Sequence, residues 1–238
     1  MQIFPAIDLY DKKVVRLVKG DYKQMTVYSE HPLETAEKIE ALGGKWLHLV
    51  DLEGAKDGTT PNFDVVKSIC QGTGLNVEIG GGIRSLDTMQ RYLEAGVARV
   101  ILGTKAVTDE VFLKDALREF GDKVAVGVDA RNGKVAVKGW LEILDVDMME
   151  FLRHLETLGV RTAIVTDISR DGAMQGTNLP LYKELAKLTG LNITASGGIS
   201  SLAELKALRD MQLYGAILGK AMYTGAVSLE DALALVKE

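Results

Sequence analysis

Two aspartates, Asp8 and Asp129, each close a short apolar run, Ile3–Ile7 and Val124–Val128. A pair of carboxylates can do general acid–base work on a small molecule, one taking a proton while the other gives one. The acid must stay protonated near neutral pH, which needs a dry site or a neighbouring negative charge. Taken singly, either Asp reads as well as a helix cap or an ion-pair partner, since Asp is common after strands. Their equivalent places in the two halves of a repeated chain favour the catalytic reading.

The repeat is visible in the glycine turns. Thr73–Leu86 reads TGLNVEIGGGIRSL, and Thr189–Leu202 reads TGLNITASGGISSL, with nine of fourteen positions identical at a spacing of 116 residues. At the same spacing Ile101-Leu102-Gly103 returns as Ile217-Leu218-Gly219, and Asp51 returns as Asp167. A glycine-rich turn between a strand end and a helix start presents bare backbone N–H groups to an anion. A lone Gly-Gly would signify only a turn that needs φ > 0. Here Gly81, Gly82, Gly103 and Thr104 are mirrored by Gly197, Gly198, Gly219 and Lys220. Two phosphate cradles are therefore expected, with Arg84 and Lys220 adding charge, and the expected partner is a small-molecule bisphosphate.

Further candidates surround the carboxylates. Thr166 ends an inward-facing series and could bond the substrate or a catalytic Asp, or simply be a polar strand end. Asp171 lies in the loop Asp167–Asn178, where a carboxylate is ordinarily solvated. Arg16 follows Asp8 by eight residues. His48 shares strand parity with Val50 and points inward, where a satisfied core histidine is as reasonable as a substrate contact. Trp140 sits in a loop, and a large aromatic there wants something to stack on; a plug over the barrel is the other reading.

The elements that must position these residues are eight β-then-α units. The strands are short and apolar, as buried parallel strands are. Strands are expected at Ile3–Ile7, Trp46–Val50, Val77–Ile79, Arg99–Leu102, Val124–Val128, Thr162–Val165, Ile193–Ala195 and Ala216–Leu218. Val14–Val18 and Lys134–Trp140 read as long loops, the first with some strand character, and Gly54–Pro61 as another loop. Thr108 is a candidate N-cap for a helix through Phe120, and Ser201 with Glu204 a candidate capping box. A closed (β/α)8 barrel fits better than an open sheet, whose dinucleotide turn would follow strand one. No Gly-x-Gly-x-x-Gly stands there, and Gly215–Lys220 lacks the Walker spacing. One domain spanning residues 1–238 is expected, with half-barrels about 1–120 and 121–238.

Composition narrows the classes. The chain has 238 residues, 47% hydrophobic, with net charge −5 and one cysteine, Cys70. This suits a sizeable core, announces no nucleic-acid surface and allows no internal disulfide. His31, His48 and His154 are far apart, so no metal site is expected. The start, MQIFPAID, lacks the basic and apolar regions of a signal peptide, and no apolar run approaches the ~20 residues that span a bilayer. A monomeric cytoplasmic protein without cofactor, membrane or nucleic-acid partner is the expectation.

The motif set resembles the histidine-pathway barrel isomerases, the family of phosphoribosylformimino-5-aminoimidazole carboxamide ribotide isomerase. The resemblance rests on Pro5-Ala6-Ile7-Asp8-Leu9, Val14-Val15-Arg16-Leu17, Gly80-Gly81-Gly82-Ile83-Arg84, Asp129 with Lys138-Gly139-Trp140, and Asp171-Gly172, and runs over the whole chain. It implies an Amadori rearrangement of a bisphosphorylated aminoaldose (ProFAR to PRFAR) without cofactor or metal. By resemblance, Asp129 would be the acid that opens the ribose ring and Asp8 the base at C2. Thr166 and Asp171 would support them, while Arg16, His48 and Trp140 would meet the substrate. A sister cyclase typically carries Cys-Leu-Asp and a lysine where this chain has Ala6-Ile7-Asp8 and Arg16, so it is disfavoured. A tryptophan-pathway isomerase would need one cradle and a strand-one cysteine. Some relatives perform both isomerisations, and a non-catalytic phosphosugar-binding barrel is a further alternative.

Overall fold

The structure is a computed structural model that describes residues 1–188 and 190–237. Thr189, which opens the second copy of the repeat, and Glu238 lie outside the described residues. In chain order the strands are β1 (Gln2–Tyr10), β2 (Lys13–Val18), β3 (Asp21–Ser29), β4 (Trp46–Asp51), β5 (Asn76–Gly80) and β6 (Arg99–Leu102). The second half supplies β7 (Val124–Arg131), β8 (Lys134–Val137), β9 (Glu142–Asp147), β10 (Thr162–Asp167), β11 (Asn192–Ser196) and β12 (Gly215–Leu218). Eight of these pair in parallel, in the ring order β12, β1, β4, β5, β6, β7, β10, β11, and β11 pairs back onto β12. With helices between the strands, this is the expected (β/α)8 barrel.

Alternation along each strand divides the core. One face of the strands packs outward against the helices in a large cluster that includes Ile7, Leu49, Val77, Val126 and Val165. The other face fills the barrel with Phe4, Ala6, Ile101, Ala125, Ile164 and Ile217. Helix starts are set by local chemistry. Ser85 and Ser201, 116 residues apart, cap the helices Leu86–Glu94 and Leu202–Asp210. Ser201 and Glu204 form the expected capping box. These helices bury Met89 and Tyr92, and Leu205 and Leu208, against the barrel.

Four local expectations need correction. Val14–Val18 is not a long loop but β2, hydrogen-bonded to β1 and to β3. Lys134–Trp140 likewise contains β8, which pairs with β7 and β9. Each hairpin turns on two residues with positive φ, Asp11-Lys12 and Asn132-Gly133, the turn that matches the twist of paired strands. Gly54–Pro61 is not all loop: Asp51 accepts a hydrogen bond from Gly54 N and starts the helix Leu52–Asp57, which Gly58 ends at φ +85°. The N-cap of the helix Glu110–Phe120 is Asp109, which accepts from Phe112 N; the Thr108 hydroxyl instead bonds Thr104 O. Among the described residues, no helix is long and apolar enough to cross a membrane.

Candidate active site

In the eight-stranded ring, β1 and β7 stand four strands apart in either direction, so their C-terminal ends face each other across the mouth. Asp8 and Asp129 occupy those ends and line one cavity. The hairpin after β1 brings Arg16 back beside Asp8, with Arg16 Nη1 2.9 Å from Asp8 Oδ1. The hairpin after β7 brings back Trp140, whose Nε1–H donates to Asp129 Oδ2 at 2.8 Å. Thr166 is the register partner of Asp129 on β10, and its hydroxyl also bonds the Asp129 carboxylate. The twofold repeat has thus placed two acids alike and given each its own attendant, a guanidinium for Asp8 and an indole for Asp129.

Burial raises the pKa of both carboxyls, because the charged form loses solvation. At Asp8 the Arg16 cation opposes this rise; at Asp129 the Trp140 and Thr166 hydrogen bonds do. Asp171 belongs to the same group. It is half-buried rather than solvated, burial raises its pKa, and its charge raises that of both other aspartates. Its loop is held from two sides: Lys19 N donates to Asp171 O at 3.2 Å, and Lys220 Nζ to Gly172 O at 2.9 Å. His48 is a satisfied buried histidine, with Nδ1 2.7 Å from Glu78 Oε1, and it also lines the cavity.

The two glycine cradles lie on opposite sides of the same cavity. Gly81 and Gly82 have φ of +99° and +78°; Gly197 and Gly198 have +97° and +80°. Only glycine holds such angles without strain, and a Cβ on Gly81 would stand 2.1 Å from Asp51 O. Gly103 and Gly219 repeat each other as well, at φ −100°, ψ −107° and φ −104°, ψ −111°. Each opens a short helix, Thr104–Thr108 and Lys220–Tyr223, whose first residue lines the cavity. Arg84 is exposed and its Nη1 bonds Asp57 O at 3.3 Å, beside the first cradle. All the residues picked out by motif and spacing therefore meet around one cavity.

Some lining residues escaped the sequence reading. Tyr22, from β3, bonds Leu52 O through its hydroxyl at 2.8 Å and borders the mouth. Ser196 and Lys105 line the cavity too. Ser196 was available from the repeat, as the mate of Gly80. Nothing local distinguishes Tyr22, which depends on how its hairpin folds back.

Fold and site define a (β/α)8 barrel that opposes two half-buried carboxylates between duplicated glycine turns. Residues 2–228 match the family model described as histidine biosynthesis protein. Relatives named 1-(5-phosphoribosyl)-5-((5-phosphoribosylamino)methylideneamino) imidazole-4-carboxamide isomerase are similar along nearly their whole length. One from Oceanobacillus iheyensis is 46% identical over 233 residues, 98% of this chain and 97% of its own. Another, from Lactococcus lactis subsp. cremoris, is 50% identical over 232 residues, 97% of this chain and 94% of its own. A third, from Clostridium beijerinckii, is 46% identical over 238 residues, 100% of this chain and 99% of its own. The chain belongs to the histidine biosynthesis protein family.

Proposed function

We infer that this chain is an isomerase that converts the aminoaldose ProFAR into the ketose PRFAR by an Amadori rearrangement in histidine biosynthesis. The observation that carries the reading is the facing of Asp8 and Asp129 across one mouth, between two glycine cradles of matching backbone geometry. The names of the full-length relatives support it. A substrate with a phosphate at each end would span the mouth, one phosphate at Gly81, Gly82, Gly103 and Thr104, the other at Gly197, Gly198, Gly219 and Lys220. Its reacting ribose would then lie between the acids. Each catalytic group and the substrate's contacts come from one chain, so a monomer suffices.

Asp129 is the group to give a proton: burial favours its neutral form, and no guanidinium pairs with it in the structure's described residues. It protonates the ring oxygen as the C1–O bond breaks, and the nitrogen lone pair forms the protonated imine. Asp8, with the Arg16 cation beside it, is the group to act as base. It takes the C2 proton, and the C–H electron pair moves toward nitrogen to give the enol-amine. Loss of the C2 hydroxyl proton and protonation at C1 complete the ketose. Proton transfer by a positioned group is worth ~10²–10⁴, and holding a flexible bisphosphate in one pose supplies much of the rest. Thr166 orients Asp129, while Arg16, His48, Asp171 and Arg84 meet the substrate or its phosphates and Trp140 covers it.

A turnover assay with ProFAR and phosphoribosylanthranilate, run side by side, tests the reading. Conversion of ProFAR is the expected result, and no conversion of it by folded protein would reject the assignment.

A further inference from the structure

Beneath the mouth lies a charged row that only one half of the barrel possesses. His48, Glu78 and Arg99 are register partners on the adjacent strands β4, β5 and β6, and all three are buried. Glu78 has no exposed surface. Its Oε1 lies 2.7 Å from His48 Nδ1, and its Oε2 accepts from Arg99 Nε at 2.9 Å and also from Arg99 Nη2. The Arg99 guanidinium packs 4.8 Å from the Trp46 ring at the barrel floor. The repeat puts Ile164, Thr194 and Gly215 at the corresponding positions of the other half. None of these three carries an ionisable side chain. Burying ionisable side chains costs desolvation that the second half avoids at these positions.

The row ends at the chemistry. His48 lines the cavity that Asp8, Asp129 and Asp171 share. A carboxylate held by arginine can only accept hydrogen bonds, so the His48 nitrogen that faces Glu78 must carry a proton. We propose that Glu78 is a positioning residue, which fixes His48 with Nδ1–H toward the barrel floor and Nε2 free toward the substrate. The kinetic part of this inference rests on the isomerase reading above; the tautomer does not.

Glu78→Gln gives a sharp test. Arg99 engages the new amide oxygen, so the amide NH2 faces His48 and Nδ1 must become an acceptor. The proton then moves to Nε2, and the ring presents a donor where an acceptor stood. Imidazole 15N spectra of the free protein should show protonated Nδ1 at His48 in the wild type and unprotonated Nδ1 in the variant. Turnover should fall roughly ten- to hundredfold, the scale on which such outer partners act on an oriented imidazole. Adding Arg99→Met lets the amide oxygen turn back to His48 and should restore part of the turnover. In a His48→Asn background, Glu78→Gln should cost no more than about twofold, because the two residues act as one unit. A bare Nδ1 in the wild type overturns the proposal. So does an equal kinetic loss with His48 already removed, or undiminished turnover in folded Glu78→Gln. If wild-type protein fails to convert ProFAR, the isomerase reading falls, and the wild-type spectrum alone still decides the role of Glu78.

Discussion

Asp8 and Asp129 are mates in the repeat, yet their surroundings push them toward different work. Replacement of either by Asn should lower turnover by about 10²-fold or more in steady-state assays. Their effects on stability should differ. Burial raises the Asp129 pKa, so the folded protein holds this proton more tightly than the unfolded chain does. The stability gained from that proton is fully present below the unfolded carboxyl value and is lost as pH rises through the folded value. At neutral pH the ionised form is therefore a liability to the fold. Asp129→Asn keeps an acceptor for Trp140 and should raise Tm at pH 7, by about 2–4 °C per kcal/mol relieved. The gain should shrink as pH is lowered through the acidic range, and a lower Tm at pH 7 would contradict the argument. Asp8→Asn leaves the buried Arg16 cation without its 2.9 Å partner and should lower Tm. The same protons shape activity: turnover should fall on the alkaline side as Asp129 loses its proton, and on the acid side as Asp8 gains one.

At the scale of elements, the hairpins after β1 and β7 carry most of what the sequence did not disclose. Asn132-Gly133 is a strong hairpin signal and could have revealed β8 and β9. Asp11-Lys12 takes the same positive-φ turn without a glycine, so its local chemistry hides it. Asp51 and Asp109 show a related difficulty. Their caps depend on a side chain reaching a particular backbone N–H, a choice that composition leaves open among neighbouring polar residues. The inward residues were legible because strand parity fixes them, as with His48 and Thr166. The same parity turns Glu78 and Arg99 inward, but it could not show that they pair with each other.

The hairpins also explain the position of Trp140. Lys138, Gly139 and Trp140 all have positive φ, at 55°, 62° and 70°. For the two non-glycine residues this stores of order 1–3 kcal/mol each. The strain is held by Lys138 N bonded to Thr104 Oγ1, by the indole on Asp129, and by packing of the ring on Gly20. A Cβ at Gly20 would lie 2.4 Å from Trp140 Cε3, at a residue whose φ is +73°. Gly20→Ala should therefore push the indole off Asp129 and reduce kcat/KM by ~10-fold or more. Unchanged kinetics in this variant would show that the indole's seat does not matter.

Over the whole molecule, the duplication was the most legible feature, and the structure extends it beyond the matching sequence. Asn62 Nδ2 bonds Asp51 at 2.9 Å, and 116 residues later Asn178 Nδ2 bonds Asp167 at 2.8 Å. The glycine cradles agree in φ to within a few degrees, so what one anion finds in the first half another should find in the second. Inorganic phosphate titrated into the protein should occupy two sites in a crystal soak, near Gly82 with Thr104 and near Gly198 with Lys220. Binding should also raise Tm as the phosphate concentration climbs. A single occupied site would favour a substrate with one phosphate.

Two seams join the halves, and they are of one kind. Where β6 meets β7, Val100 faces Val124; where β12 meets β1, Gly215 faces Gln2, and both contacts are parallel ladders. Neither seam is privileged by the geometry. A transposed gene, with the second half translated first and the old ends joined by a short linker, should still close the same ring, its two acids exchanging places in the order of synthesis but not in space.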